Sequence, residues 1–155
     1  MNPEKSNYVL RTNDLTKSYG GIKVVNEVCM NVRQGDIYGF IGKNGAGKTT
    51  FMRMVSGLAT PTAGSMTLFG KTELELERKR IGSLIESPGV YPNMTAKENL
   101  EVVRRVFGIT KKHAVEEILL LVGLFNTSNK KVKQFSMGMK QRLGLAVSLM
   151  RNPDF

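Results

Sequence analysis

Gly42-Lys43-Asn44-Gly45-Ala46-Gly47-Lys48-Thr49 fits the pattern G-x-x-x-x-G-K-[ST], a loop whose backbone wraps around a polyphosphate. Asp36 to Ile41 (D-I-Y-G-F-I) reads as a short apolar strand entering the loop, and Thr49 to Ser56 reads as the helix leaving it. Strand, glycine loop and helix together supply the context the pattern requires. Glycines at 42, 45 and 47 carry no Cβ and tolerate positive φ, so successive N–H groups can converge on phosphate oxygens at the positive end of the helix. In such a loop Lys48 reaches the β- and γ-phosphates and the Thr49 hydroxyl reaches Mg²⁺. Nucleotide binding is therefore the first expectation.

Composition narrows the field. A chain of 155 residues that is 41% hydrophobic has room for one domain with a core and is not disordered in bulk. No apolar run approaches the roughly 18 to 20 residues of a membrane span, and Met1-Asn2-Pro3-Glu4-Lys5 lacks the basic start and apolar stretch of a signal peptide, so a cytoplasmic chain is expected. One cysteine, Cys29, cannot form an internal disulfide, and with His113 as the only histidine a Cys/His metal site is excluded as a theme. Cys29 reads as a strand or core residue. The formal charge of +10 could serve an anionic partner, yet the basic residues are spread along the chain without interleaved aromatics. Solvated faces explain them better, and no specific nucleic-acid partner is expected.

Along the chain, Tyr8 to Leu10, Val24 to Val32 and Ile37 to Ile41 read as strands, with Gln34-Gly35-Asp36 as the turn between the last two. Ser65 to Phe69 and Ile81 to Ile85 read as further strands, and Glu73 to Arg80 as a charged helix. From Ser87 onward helices dominate. Thr95-Ala96-Lys97-Glu98 makes a capping box opening a helix to about Phe107, Lys111 to Val122 carries apolar residues at helical spacing, and Met137 to Met150 is a third helix ended by Asn152-Pro153. The expectation is an α/β nucleotide core over about residues 1–86 with a helical insert over 87–150, as one incomplete domain rather than two independent ones.

Lys133-Gln134-Phe135-Ser136-Met137-Gly138-Met139-Lys140-Gln141-Arg142-Leu143 resembles the signature motif of ABC transporter ATPases, which usually reads L-S-G-G-Q followed by a basic-Q-R run. Ser136, Gly138, Gln141 and Arg142 match, while Met137 and Met139 replace a glycine and the glutamine; helix packing is the plainer reading of the two methionine side chains. Within this family the resemblance implies a P-loop NTPase fold of ABC type, with an N-terminal antiparallel β-subdomain. It implies that Ser136, Met137, Gly138 and Met139 face a nucleotide held by a second ATPase subunit in a head-to-tail dimer. It also implies that Tyr19, 23 positions ahead of Gly42, stacks on adenine, that Val24 helps hold the base, and that Lys43, Asn44, Ala46 and Thr50 join the loop's glycines, Lys48 and Thr49 around ATP. Where the family carries a glutamine that touches Mg²⁺, this chain has Glu86, which implies a carboxylate ligand to the metal. The context Ser83-Leu84-Ile85-Glu86-Ser87-Pro88-Gly89-Val90-Tyr91-Pro92 resembles the bacitracin and lantibiotic self-protection branch of the family.

The resemblance runs from Tyr8 to Phe155 and stops before the strand bearing the family's second Mg²⁺ aspartate and catalytic glutamate, and before its switch histidine. His113 lies in the helical insert and does not correspond to that histidine. The expectation is an ATP-binding portion of an exporter ATPase, peripheral at the inner membrane face through a membrane subunit, with Lys48 stabilising phosphate and no catalytic base within residues 1–155. Alone, it is expected to bind ATP weakly without turnover. A non-hydrolysing nucleotide-binding regulator, and a ribosome-associated ABC ATPase, remain alternatives at this point.

Overall fold

The computed structural model describes residues 7–127 and 129–155. The first five residues, read above for targeting signals, lie outside them. The chain divides into two compact units, one through Ile81 together with Phe155, the other from Gly82 to Asp154.

In the first unit, β1 (Tyr8–Tyr19) and β2 (Ile22–Arg33) form a long antiparallel hairpin, and β3 (Ala63–Leu68) pairs antiparallel with the free side of β1, giving the order β2-β1-β3. The hairpin turns at Gly20-Gly21, both at positive φ, which a two-residue turn between twisted strands demands. The register slips between Thr12 and Leu15, where Asp14 takes positive φ, and again between Leu15 and Lys17, where Glu27 does on the facing strand. Two buried threonines satisfy the backbone at this bulge. The Thr12 hydroxyl donates to the Val28 carbonyl at 2.9 Å, and the Thr16 hydroxyl donates to the Asp14 carbonyl while accepting from the Glu27 N–H, each at 3.0 Å. Valines and leucines on the inner face, with Met30 and Met66, pack against Phe51, Met54 and Val55 of α1 (Lys48–Val55). Leu15, Met54 and Leu68 are fully buried there.

Four expectations need correction. β1 runs to Tyr19 rather than ending at Leu10. Ile37 to Ile41 and Ile81 to Ile85 form no strands. A strand requires a ladder partner, and among the described residues none pairs with either segment. Ile37 and Ile41 accordingly stand 103% and 95% exposed, while Phe40 turns inward to meet Phe51 at a 5.1 Å ring separation. The turn at Gln34-Gly35 is present, closed by Asp36, whose carboxylate accepts from the Arg33 N–H at 3.0 Å, but it leads into extended chain instead of a second strand. The charged segment after β3 forms only one turn, α2 (Leu74–Glu77), followed by a 3₁₀ turn over Arg78–Arg80. Arg78 donates from there to the Val55 and Met54 carbonyls at 3.0 Å, closing the C-terminal end of α1. Cys29 lies in β2 as read but is exposed, its thiol 3.3 Å from the Asp14 carboxylate.

The second unit packs α3 (Ala96–Val106), α4 (Ala114–Leu121) and α5 (Met137–Leu149) around Leu100, Val115, Leu119, Leu124, Leu143 and Ala146. The capping box is formed in both directions. The Thr95 hydroxyl accepts from the Glu98 N–H at 3.1 Å, and the Glu98 carboxylate accepts from the Thr95 N–H at 2.6 Å. That bond, with a further one from Lys131, holds the Glu98 carboxyl below its ordinary value. A depressed carboxylate contributes stability that is complete above its unfolded value and is lost as pH falls through its lower folded value. Thr95→Ala is expected to destabilise this unit by about 1 kcal/mol in thermal melts, whereas Glu98→Gln removes the titrating carboxylate, so its loss relative to the parent should shrink in melts taken at successively lower pH. Across the helices, Lys97 meets Glu116 at 2.9 Å, and that ammonium draws the Glu116 carboxyl down.

Candidate functional site: the phosphate loop and the signature helix

The loop is shaped by two glycines and a lysine. Gly45 and Gly47 sit at φ +82° and +84°, the left-handed region, whereas Gly42 does not. At Gly47 the reason is steric as well as conformational. A Cβ there would stand 2.3 Å from the Val24 carbonyl oxygen and 3.2 Å from the Val25 side chain, so β2 and the loop touch only because the residue is glycine. Val24 is thereby brought beside the loop. The loop closes on itself through the Ala46 N–H, which donates to the Lys43 carbonyl at 3.2 Å.

Lys48 opens α1, and its ammonium folds back to donate to the Gly42 carbonyl at 2.6 Å and the Lys43 carbonyl at 2.8 Å. A cation is thus fixed across the loop's mouth while retaining a third N–H. The helix that follows is left open at its N-terminus: Gly47 occupies the N-cap position, no side chain caps it, and its first turn carries no acidic residue. Its first N–H groups and the positive end of its dipole are therefore available to an anion. Thr49 and Thr50, both half-buried, stand in that first turn.

Tyr19 ends β1 opposite Ile22 and is 51% exposed, with the Lys17 ammonium 4.9 Å from its ring centre. An exposed ring at the end of a strand offers a stacking face, and Lys17 is held by a 2.7 Å bond to the Thr60 carbonyl.

In the second unit, Ser136 is the N-cap of α5, its hydroxyl accepting from the Met139 N–H at 3.3 Å. Ser136, Met137 and Gly138 are exposed. Met137 is 77% exposed, so helix packing does not explain its side chain, whereas Met139 packs against the core as expected. The arrangement at the start of α5 is a second helix N-terminus bearing the Ser136 hydroxyl and the Gly138 amide. Glu86 is exposed and sits at φ +61°, an uncommon conformation for a residue with a Cβ. Sequence reading missed this, since Glu-Ser-Pro carries no left-handed signal.

Comparison with known proteins agrees with this geometry. A family model described as ABC transporter matches residues 25–155. The chain is 49% identical over 149 residues to the bacitracin transport ATP-binding protein BcrA of Bacillus licheniformis, covering 94% of this chain and 49% of that one. It is 42% identical over 145 residues to the lantibiotic transport ATP-binding protein SrtF of Streptococcus pyogenes, covering 94% and 63%. The chain thus spans about half to two thirds of the length of these relatives. Among solved structures, one titled as the ATP binding subunit of an ABC transporter superposes with a TM-score of 0.79 at 26% identity, over 94% of this chain and 63% of that one. By the family model over residues 25–155 and these identities, the chain belongs to the ATP-binding domains of the ABC transporter family.

Proposed function

We propose that this chain is the ATP-binding portion of an exporter that removes antimicrobial peptides of the bacitracin or lantibiotic type. The observation that carries the nucleotide part is the Lys48 clamp at the mouth of a loop that feeds an uncapped helix N-terminus. In this reading the loop from Gly42 to Thr50 holds the phosphates of ATP, Tyr19 stacks on adenine and Val24 borders the base. Thr49 is a ligand of Mg²⁺, and Glu86 a further oxygen ligand to it. Ser136, with Gly138 and the backbone of Met137 and Met139, meets the γ-phosphate of a nucleotide held by a second ATPase subunit. The pair works with a membrane subunit at the inner face of the membrane, so ATP binding and hydrolysis drive transport. Among the described residues no helix is long and apolar enough to cross a membrane.

Similarity to two transport proteins named for peptide antibiotics supports the substrate class. Expression of the gene in its own host, with neighbouring membrane genes intact, should raise the bacitracin or lantibiotic concentration needed to stop growth. Lys48→Ala should abolish that protection. Protection that survives Lys48→Ala would count against an ATP-driven role for the loop.

A further inference from the structure

Glu86 stands at the apex of a turn whose two sides rest on one residue. A Cβ added to Gly144, in the middle of α5, would lie 2.5 Å from the Pro88 Cβ and 2.7 Å from the Leu84 Cδ1. One helical turn further, the Ser148 carbonyl approaches within 2.5 Å of the position a Cβ would take on Gly82. The segment from Gly82 to Pro88 therefore lies along α5 at backbone distance, with a glycine at each point of closest approach. Leu84 has rotamers that swing clear, but the Pro88 ring has none, so Pro88 is the rigid wall of this seat. Val90, just beyond it, is tied into the core, and the Tyr91 backbone is held from both sides by the Asn99 amide at 2.7 and 3.1 Å. The left-handed Glu86 is an unfavourable conformation that persists only where its flanks are fixed.

We propose that Gly144 is the positioning residue for Glu86: the missing side chain in α5 seats Leu84 and Pro88, so the turn carrying Glu86 and the helix carrying Ser136 form one body. The function this gives Glu86 rests on the metal role proposed above, whereas the seat itself stands on packing alone and is tested without nucleotide.

Helix propensity and seating make opposite demands at this site. In an α-helix alanine is the better residue, so a Gly144 with no seating role would make Gly144→Ala neutral or stabilising throughout. Seating requires instead that the added methyl lift the turn. Amide hydrogen exchange followed by mass spectrometry on the 155-residue chain is expected to show about tenfold faster exchange in residues 83–91 of Gly144→Ala, with α3 and α4 unchanged. Pro88→Gly alone should also loosen the turn, and adding it to Gly144→Ala should return exchange to within about threefold of the parent, because the methyl then fills the space the ring vacated. Unchanged exchange at residues 83–91 in Gly144→Ala would overturn the proposal, as would a rise shared by all three helices that Pro88→Gly fails to reverse. Should Gly144→Ala not fold, Pro88→Gly alone decides: an unchanged turn overturns the seat. ATP affinity of the parent chain, measured separately, bears on the nucleotide reading and leaves this outcome untouched.

Discussion

Gly47→Ala is expected to damage the first unit more than any other single-methyl change in the phosphate loop. The methyl would stand 2.3 Å from the Val24 carbonyl oxygen, backbone that no rotamer can move, and the residue would keep a φ of +84°. Left-handed geometry costs a residue with a Cβ about 1–2 kcal/mol, and relieving the overlap about 1–3 kcal/mol more, so a loss of roughly 2–5 kcal/mol is expected. Gly45→Ala separates the two causes. Gly45 has nearly the same φ, +82°, but open space where a Cβ would go, so only the conformational part, about 1–2 kcal/mol, should be lost. Urea or thermal unfolding of both variants measures the difference, and equal losses would mean that the contact with β2 is not what requires glycine at 47.

Lys48→Ala is expected to act on binding and hardly on stability. Its ammonium makes two bonds to loop carbonyls at 2.6 and 2.8 Å, in an exposed setting where loss of such bonds is readily compensated by water. Toward a phosphate the same ammonium makes a charge-assisted bond at a helix N-terminus, and removing it should weaken ATP binding roughly 30- to 100-fold, the equivalent of about 2–3 kcal/mol. Lys48→Arg keeps the charge but presents a planar fork in place of a compact ammonium, so an intermediate loss is expected. Titration of a fluorescent ATP analogue against the three proteins reads the order directly; an alanine variant that binds like the parent would remove Lys48 from the site.

Much of this was legible in the chain because the signals are local. Helices α3, α4 and α5 follow from a capping box, apolar spacing and a terminating Asn-Pro, and the structure places all three. The phosphate loop follows from a pattern whose glycines answer to φ at 45 and 47. What escaped notice depends on partners distant in sequence. β1 reads poorly because Arg11, Asn13, Asp14 and Lys17 interrupt its alternation, and they do so where the register slips and the buried hydroxyls of Thr12 and Thr16 take over the unpaired backbone groups. Ile37 to Ile41 and Ile81 to Ile85 have the composition of strands, yet composition cannot supply the neighbouring ladder a strand needs. The left-handed Glu86 is invisible in sequence for the same reason: its flanks, Leu84 and Pro88, rest on Gly144, 58 positions beyond it.

Recognition of the phosphates, as distinct from any attraction of a basic chain for an adenine nucleotide, is tested most directly by calorimetric titration of the parent chain with Mg²⁺–ATP and with AMP. A loop whose amides and Lys48 address the β- and γ-phosphates should bind ATP at least about tenfold more tightly than AMP, a preference of about 1.4 kcal/mol or more. AMP binding as tightly as ATP would contradict a polyphosphate site at Gly42 to Thr49.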